Sequence, residues 1–514
     1  MRKRILAIFL AAVALACLLW GCKETTNGGT GASDETTPSS GEATVKLKEI
    51  TVGIAQDLDD SLDPYLTTAA GTREVMFNVF EGLVKPDSTG NYVCAVASDY
   101  DVTESGRCYA FTLRDGVVFH NGAVCTPQDV LYSFQTCADT TVDTAVAAAL
   151  SAVEEISAKG NVVTIRLQEA NNDFLSTVAN VSIVPEHYQK QATSPVGTGP
   201  FQFASRSVQE NVILEKHEAY YGTPASLDRV TYKIYEDGNA LFTALNSGAL
   251  DLVAHLTSDQ VGNLSNGYTV LEGTMNLVQA LYLNHQVQPF DNVLVRQAMC
   301  YAVDVDAMLD LTADGHGTKV GSSMYPAFTK YFEPTLADRY PHDVDKAKEL
   351  LGQAGYSDGF EFTIKVPSNY APHVNTAVVL AEQLKAVGIT AQIQQVDWNT
   401  WLTEVYGNRD FEATVVDAST LNASSLLARW VSDNGKNMIN YSNADYDAAF
   451  AAAQASTDDQ ERTALYKQCL QILSDTAANV YLQDLADFVA IRPELEGFQF
   501  YPLYVMDMST IHYK

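Results

Sequence analysis

The sequence predicts an α/β fold, and three observations carry that expectation. Strand and helix signatures alternate between residues 360 and 416, in the order strand, helix, strand, helix, strand. That order puts right-handed crossovers on a helix-covered sheet. Of the 514 residues 46% are apolar, and the 26 Tyr, 20 Phe and 4 Trp run through the whole length. The chain can therefore bury substantial cores and is not disordered over most of its extent. A length of 514 residues also exceeds one core and calls for two to four domains or one large two-lobed body. Acidic side chains number 63 against 32 basic ones, a formal charge of -31. This excludes a generic nucleic-acid binder and disfavours adsorption to anionic lipid; its plainest role is solubility.

The elements follow in order. Arg2, Lys3 and Arg4 precede an apolar run from Ile5 to Leu19. At about 1.5 Å per residue that run spans roughly 22 Å, short of the roughly 30 Å hydrocarbon core. It reads as a signal peptide, residues 1–22. It ends Leu19-Trp20-Gly21-Cys22, which resembles the bacterial lipobox and implies a lipidated Cys22. Residues 23–46 are rich in Thr, Gly, Ser and Asn and read as a flexible linker.

Lys48–Ile54 alternates as a strand, and Val93–Leu113 reads as two strands joined at Ser105-Gly106. Thr126-Pro127-Gln128-Asp129 starts a helix: the hydroxyl caps, proline suits the first position and an acid meets the positive end. Phe360–Val366 is a strand, Asn375–Val387 a helix closed by Gly388, and Thr390–Val396 a strand. Asn399–Tyr406 is a short helix and Phe411–Val416 a strand. Ligands of such sheets sit at the carboxyl ends of the strands. The segments there are Pro367–Tyr370 and Asp417–Ser419, each also readable as plain turn chemistry.

The sequence holds little reactive chemistry. Its 9 histidines are scattered, with no HxxxH or HExxH pair for zinc and no GxSxG nucleophile turn. Gly197-Thr198-Gly199-Pro200-Phe201 lacks the GK[ST] ending of a phosphate loop, and Pro200 removes an amide donor. Of the 8 cysteines, Cys17 lies in the leader. No CxxC exists, and at most one disulfide is expected among Cys94, Cys108, Cys125 and Cys137, with the pairing open. No catalytic residue, metal or cofactor is expected.

Six runs, in order, carry a family resemblance. They are Leu62-Asp63-Pro64, Glu81–Val84, Phe111–Gly122 followed by Thr126–Phe134, Gly197–Phe201, Leu281–Asn284 with Val295–Ala298, and Asp343–Gly355. They resemble the LDP, EGLV, FxLRxGVxFHxGxxxTAxDVxxSF, GTGPF and DxxKAKxLLxxAGY landmarks of the family 5 extracellular solute-binding proteins of ABC importers, the peptide- and nickel-binding type.

The resemblance implies a two-lobed periplasmic-binding-protein-like clamp of type II, in the three-subdomain cluster. Lobe I would cover 47–284 with an inserted subdomain at about 86–190, lobe II 285–480, and 481–514 would return to lobe I. It implies capture of oligopeptides or a related small solute and delivery to membrane permease subunits. It also implies an extracytoplasmic protein, lipid-anchored at the cell surface or in the periplasm, and a monomer. Arg114, Asp115 and His120 would be framework. Ligand contacts would come from Ala70, Gly71 and Thr72 after the LDP run, and from Asp417, Ala418, Ser419 and Asn422 in the second lobe. The family's DP is absent after Asp417, and the basic residue expected before the helix at 375 is replaced by His373 and Asn375. Trp398 and Trp401 flank the region as core or as stacking surfaces. A metal chelate or oligosaccharide ligand on the same fold stays open. So does another class altogether, a secreted hydrolase or adhesive surface lipoprotein.

Overall fold

The computed structural model describes residues 47–514 apart from 68, 141–144, 369 and 419–421. The expected leader, Cys22, the linker and Ser419 therefore lie outside the described residues. No helix among the described residues is long and apolar enough to cross a membrane.

Twelve of the described strands form one mixed sheet. From one edge the order is Thr390–Val396, Glu361–Pro367, Ala413–Ala418, Val278–Leu283 and Val480–Ile491. It continues through Leu252–Leu256, Glu49–Ile54, Arg229–Ile234, Asn211–Lys216 and Phe201–Ser207. Thr269–Thr274 and Gly317–Lys319 also pair with Val480–Ile491. That central strand is apolar at most positions, as a strand covered on both faces must be. Its first part pairs with Val278–Leu283, with Gln279 opposite Gln483. Its second part pairs with Thr269–Thr274, from Thr274 opposite Ala486 to Thr269 opposite Ile491.

Cores divide at the same place. One unites Ile50, Val52, Tyr109, Phe111, Phe134, Phe201, Tyr232 and Val489. Thus the sheet around Glu49–Ile54 shares its interior with a separate four-stranded sheet, ordered Ala97–Thr103, Cys108–Leu113, Val162–Leu167 and Val153–Lys159. Two others draw their buried members from 278–482: one around Tyr282, Trp430, Tyr446 and Tyr466, the other around Leu281, Phe362, Leu380 and Val415. A small core of Leu241, Leu245, Val253 and Phe488 lies under the helix Gly238–Asn246.

Local expectations meet the structure closely. Thr126 and Asp129 form a reciprocal capping box at the helix Pro127–Ala138. The helix expected at 375 begins earlier, spanning Ala371–Leu384, because Pro372 suits its first turn. A short 3-10 turn, Lys385–Val387, then ends at Gly388 in the left-handed region. The expected helix 399–406 is one α-turn, Trp398–Thr400, followed by a π-helical segment, Trp401–Gly407. The Trp398 and Trp401 rings stack at 5.0 Å. Six described cysteines (94, 108, 125, 137, 300 and 469) are free thiols.

The family-like motifs near 120 and 200 interlock. His120 Nε2 lies 3.0 Å from the Gly199 carbonyl, and the Gly197 amide donates to His120 Nδ1 at 3.2 Å. Burial holds this imidazole neutral by pushing its pKa down to about 4. A Cβ on Gly197 would fall 2.2 Å from the Val79 carbonyl oxygen, and one on Gly199 2.4 Å from that of Asn78. Arg114 donates to the Ala95 carbonyl at 3.0 Å.

Candidate functional site

The helix Ala70–Met76 follows a loop that it pins in place. The Asp59 amide donates to Thr72 Oγ1 at 2.8 Å, and the Ala69 amide to Asp59 Oδ2 at 3.0 Å. Thr72 is buried and spends its hydroxyl on that tie. Ala70 and Gly71 line a cavity of about 390 Å³ together with Glu74, His255 and Tyr504. Ala70, Glu74, His255 and Tyr504 also border a second cavity of about 320 Å³, closed by Thr274–Leu277, Tyr325 and the 498–505 segment.

His255 stands between these cavities. Its strand, Leu252–Leu256, slips register against Val480–Ile491 just there, and His255 adopts a φ of 60. A bulge of this kind re-aims a side chain out of the ladder. The ring's Nε2 is 2.9 Å from Glu74 Oε1, and its Nδ1 is 3.1 Å from Asp487 Oδ2. Tyr504 stacks on the ring at 4.5 Å. Burial works against a charge on this ring, but the Asp487 and Glu74 carboxylates outweigh it and raise the pKa to about 10. The cluster is thus an imidazolium with both N–H groups given to carboxylates, beside the aromatic face of Tyr504.

The strands Glu361–Pro367, Thr390–Val396 and Ala413–Ala418 run parallel to one another. Their carboxyl ends bring Tyr370, His373, Trp398 and Asp417 to one edge. Tyr370 is exposed, and its ring centre lies 5.4 Å from His373 and 5.4 Å from Trp398. His373 is buried, with Nε2 3.3 Å from Asp417 Oδ2. Trp401 is buried and donates its indole N–H to Thr414 Oγ1 at 3.0 Å. Ala418 is buried in the core around Tyr282.

Asn422 plays a different part. Its Oδ1 caps the helix Ala423–Ala428, and its Nδ2 donates to Ser176 Oγ at 2.7 Å. It lines a further cavity of about 280 Å³ with Tyr92, Asp173, Tyr331 and Arg462. The structure therefore groups Ala70 and Gly71 with His255, and Asp417 with Trp398, while Thr72, Trp401 and Ala418 are packed inside. Sequence reasoning missed Glu74, His255, Asp487 and Tyr504. They lie far apart along the chain, and no local pattern joins them.

Thr274–Val278 links strands that pair with the two parts of Val480–Ile491, and both segments cross from one set of cores to the other. Asp484 sits in this crossing, fully buried, and its Oδ1 accepts the Leu277 amide at 3.2 Å.

Residues 91–438 match the family described as bacterial extracellular solute-binding proteins, family 5 Middle. The heme-binding protein A of Haemophilus influenzae is 26% identical over 460 residues, covering 79% of this chain and 81% of the relative. The oligopeptide-binding protein AppA of Bacillus subtilis is 24% identical over 543 residues, covering 98% and 97%. Among solved structures, the ABC transporter substrate-binding protein CtaP of Listeria monocytogenes superposes with a TM-score of 0.80 at 21% identity, covering 91% of this chain and 99% of that one.

Proposed function

The chain belongs to family 5 of the bacterial extracellular solute-binding proteins, and from that membership we propose that it captures a short peptide or related small solute between two lobes and passes it to the permease of an ABC importer. The family is one of solute binders rather than enzymes. The observation that supports the reading is a pair of polar, aromatic clusters, one on each set of cores, which the reading takes as the two walls of one cleft. Glu74, His255 and Tyr504 form the first wall; Asp417, Tyr370 and Trp398 form the second.

In this reading the second lobe runs from about 278 to about 482, slightly wider than the 285–480 expected above, with bending at Thr274–Val278 and around Asp484. Closure brings the walls together, and a solute that touches both stabilises the shut state. Peptides can be held in such a cleft by backbone hydrogen bonds as an added strand, and the rings give apolar walls at small entropic cost. A lipid on Cys22 holds the monomer at the membrane beside its permease. The name of the Haemophilus relative supports a second ligand class, a flat metal chelate, for which Tyr504 and Trp398 offer faces.

Native mass spectrometry of the purified chain tests the reading: a co-purifying peptide or chelate is expected, and its removal lowers the thermal midpoint. A chain that carries no small molecule, and whose midpoint no peptide or chelate raises, sinks it.

A further inference from the structure

Two glutamines are buried in two largely apolar strands. Gln279 is 2% exposed in Val278–Leu283, and Gln483 is 0% exposed in Val480–Ile491. An apolar residue would pack more cheaply at either place, since a buried amide costs stability unless it is bonded. Gln279 stands directly opposite Asp417 on one neighbouring strand and opposite Gln483 on the other. Its Oε1 accepts from Thr376 Oγ1 at 2.9 Å and from Gln483 Nε2 at 2.8 Å. With two donors on the oxygen, its Nε2 faces His373 Nδ1, 2.9 Å away.

That arrangement fixes the imidazole. A ring that accepts at Nδ1 carries its hydrogen at Nε2. The Nε2 side lies 3.3 Å from Asp417 Oδ2, so a hydrogen and not a lone pair faces the carboxylate. The reverse tautomer would set lone pair against anion. Turning the Gln279 amide round would keep an N–H toward Asp417 only if the ring were an imidazolium.

We propose that Gln279 and His373 are positioning residues of the solute site: Gln279, anchored by Thr376 and by Gln483 of the crossing strand, locks His373 as a neutral Nε2–H ring that orients Asp417 as the anion for a cationic group on the solute. The proposal rests on the solute-binding reading above for what Asp417 meets. It goes beyond that reading in naming what aims the carboxylate, and in tying that aim to the strand shared by both lobes.

The test uses the full chain labelled with 15N-histidine, read by long-range proton–nitrogen correlation at pH 7.5. The His373 signals are identified by their loss in His373→Gln. A neutral ring protonated at Nε2 is expected, and Gln279→Leu and Thr376→Val, checked for unchanged circular dichroism, are expected to mix its tautomers. An imidazolium or an Nδ1–H ring in the parent chain overturns the relay, as does a tautomer that neither variant moves.

A second arm titrates tetra-alanine, with its amino terminus free or acetylated, by calorimetry. The free amine is expected to bind about tenfold more tightly. Asp417→Asn removes that preference, and Gln279→Leu reduces it without touching the solute. Equal binding of the two probes overturns Asp417 as the cation's partner. Failure of both to bind counts against the peptide reading and leaves the relay to be decided by the tautomer.

Discussion

Asp484 and His255 both hold a proton more tightly in the folded chain, Asp484 as a neutral acid and His255 as a cation. Burial, acting against the Leu277 amide and the Thr274 hydroxyl, pushes the Asp484 carboxyl up to about 8. The unfolded chain releases that proton near pH 4 (roughly 3.9). Between those values the folded chain binds the extra proton, so stability falls as pH rises from about 4 to about 8 and is level above that. Asp484→Asn keeps the shape without the charge. It is expected to stabilise the protein by about 1–3 kcal/mol at pH 8 and to flatten this slope in thermal melts across pH 5–9. The sign for His255 runs through its cationic form. Its folded pKa of about 10 exceeds the ordinary value of 6.5, so its stabilisation is complete below about 6.5 and fades as pH climbs toward 10. His255→Ala leaves Glu74 and Asp487 facing each other. A cost of about 1–3 kcal/mol in urea unfolding at pH 6 is expected, reduced from a fully buried pair because the ring is 34% exposed.

At the scale of elements, local rules were legible and long-range meetings were not. The capping box at Thr126, the stop at Gly388 and the strands of 360–418 followed from spacing and turn chemistry alone. The motif near 120 proved to be scaffolding: His120 clasps the Gly197–Phe201 run against Asn78 and Val79, which neither motif reveals by itself. Gly199→Ala drives a methyl into backbone and is expected to cost more than about 3 kcal/mol, read as a lowered denaturation midpoint with solute contacts untouched. The π-helical Trp401–Gly407 escaped the sequence, and its first residue makes a long-range tie that no spacing shows: the Trp401 indole reaches Thr414 in Ala413–Ala418. His255 was unreadable for the same reason. Its partners, Glu74 and Asp487, are 181 and 232 residues away.

For the whole molecule, what holds each half and what joins the halves differ in kind. Each half is packed around apolar cores of its own. The four-stranded sheet's side meets the second half through polar contacts instead. Asn172 Nδ2 donates to the Ser456 carbonyl at 2.8 Å, Tyr466 OH to Asp173 Oδ2 at 2.7 Å, and Asn422 to Ser176. Such bonds are worth about 1 kcal/mol each and exchange readily for water, so parting this seam costs little. Asn172→Ala with Asp173→Ala is expected to enlarge the radius of gyration in small-angle scattering of the solute-free chain. Amide exchange should quicken in Ala423–Ala428, with far-ultraviolet circular dichroism unchanged. An unaltered profile and exchange rate would mean that the seam does not limit opening. The shared strand Val480–Ile491 bears on synthesis as well as on motion. It is made last among the members of the great sheet, yet it lies between Leu252–Leu256 and Val278–Leu283. Until the ribosome has passed residue 491, those two segments wait with bare edges, and a nascent chain stalled there is open to pairing with its neighbours.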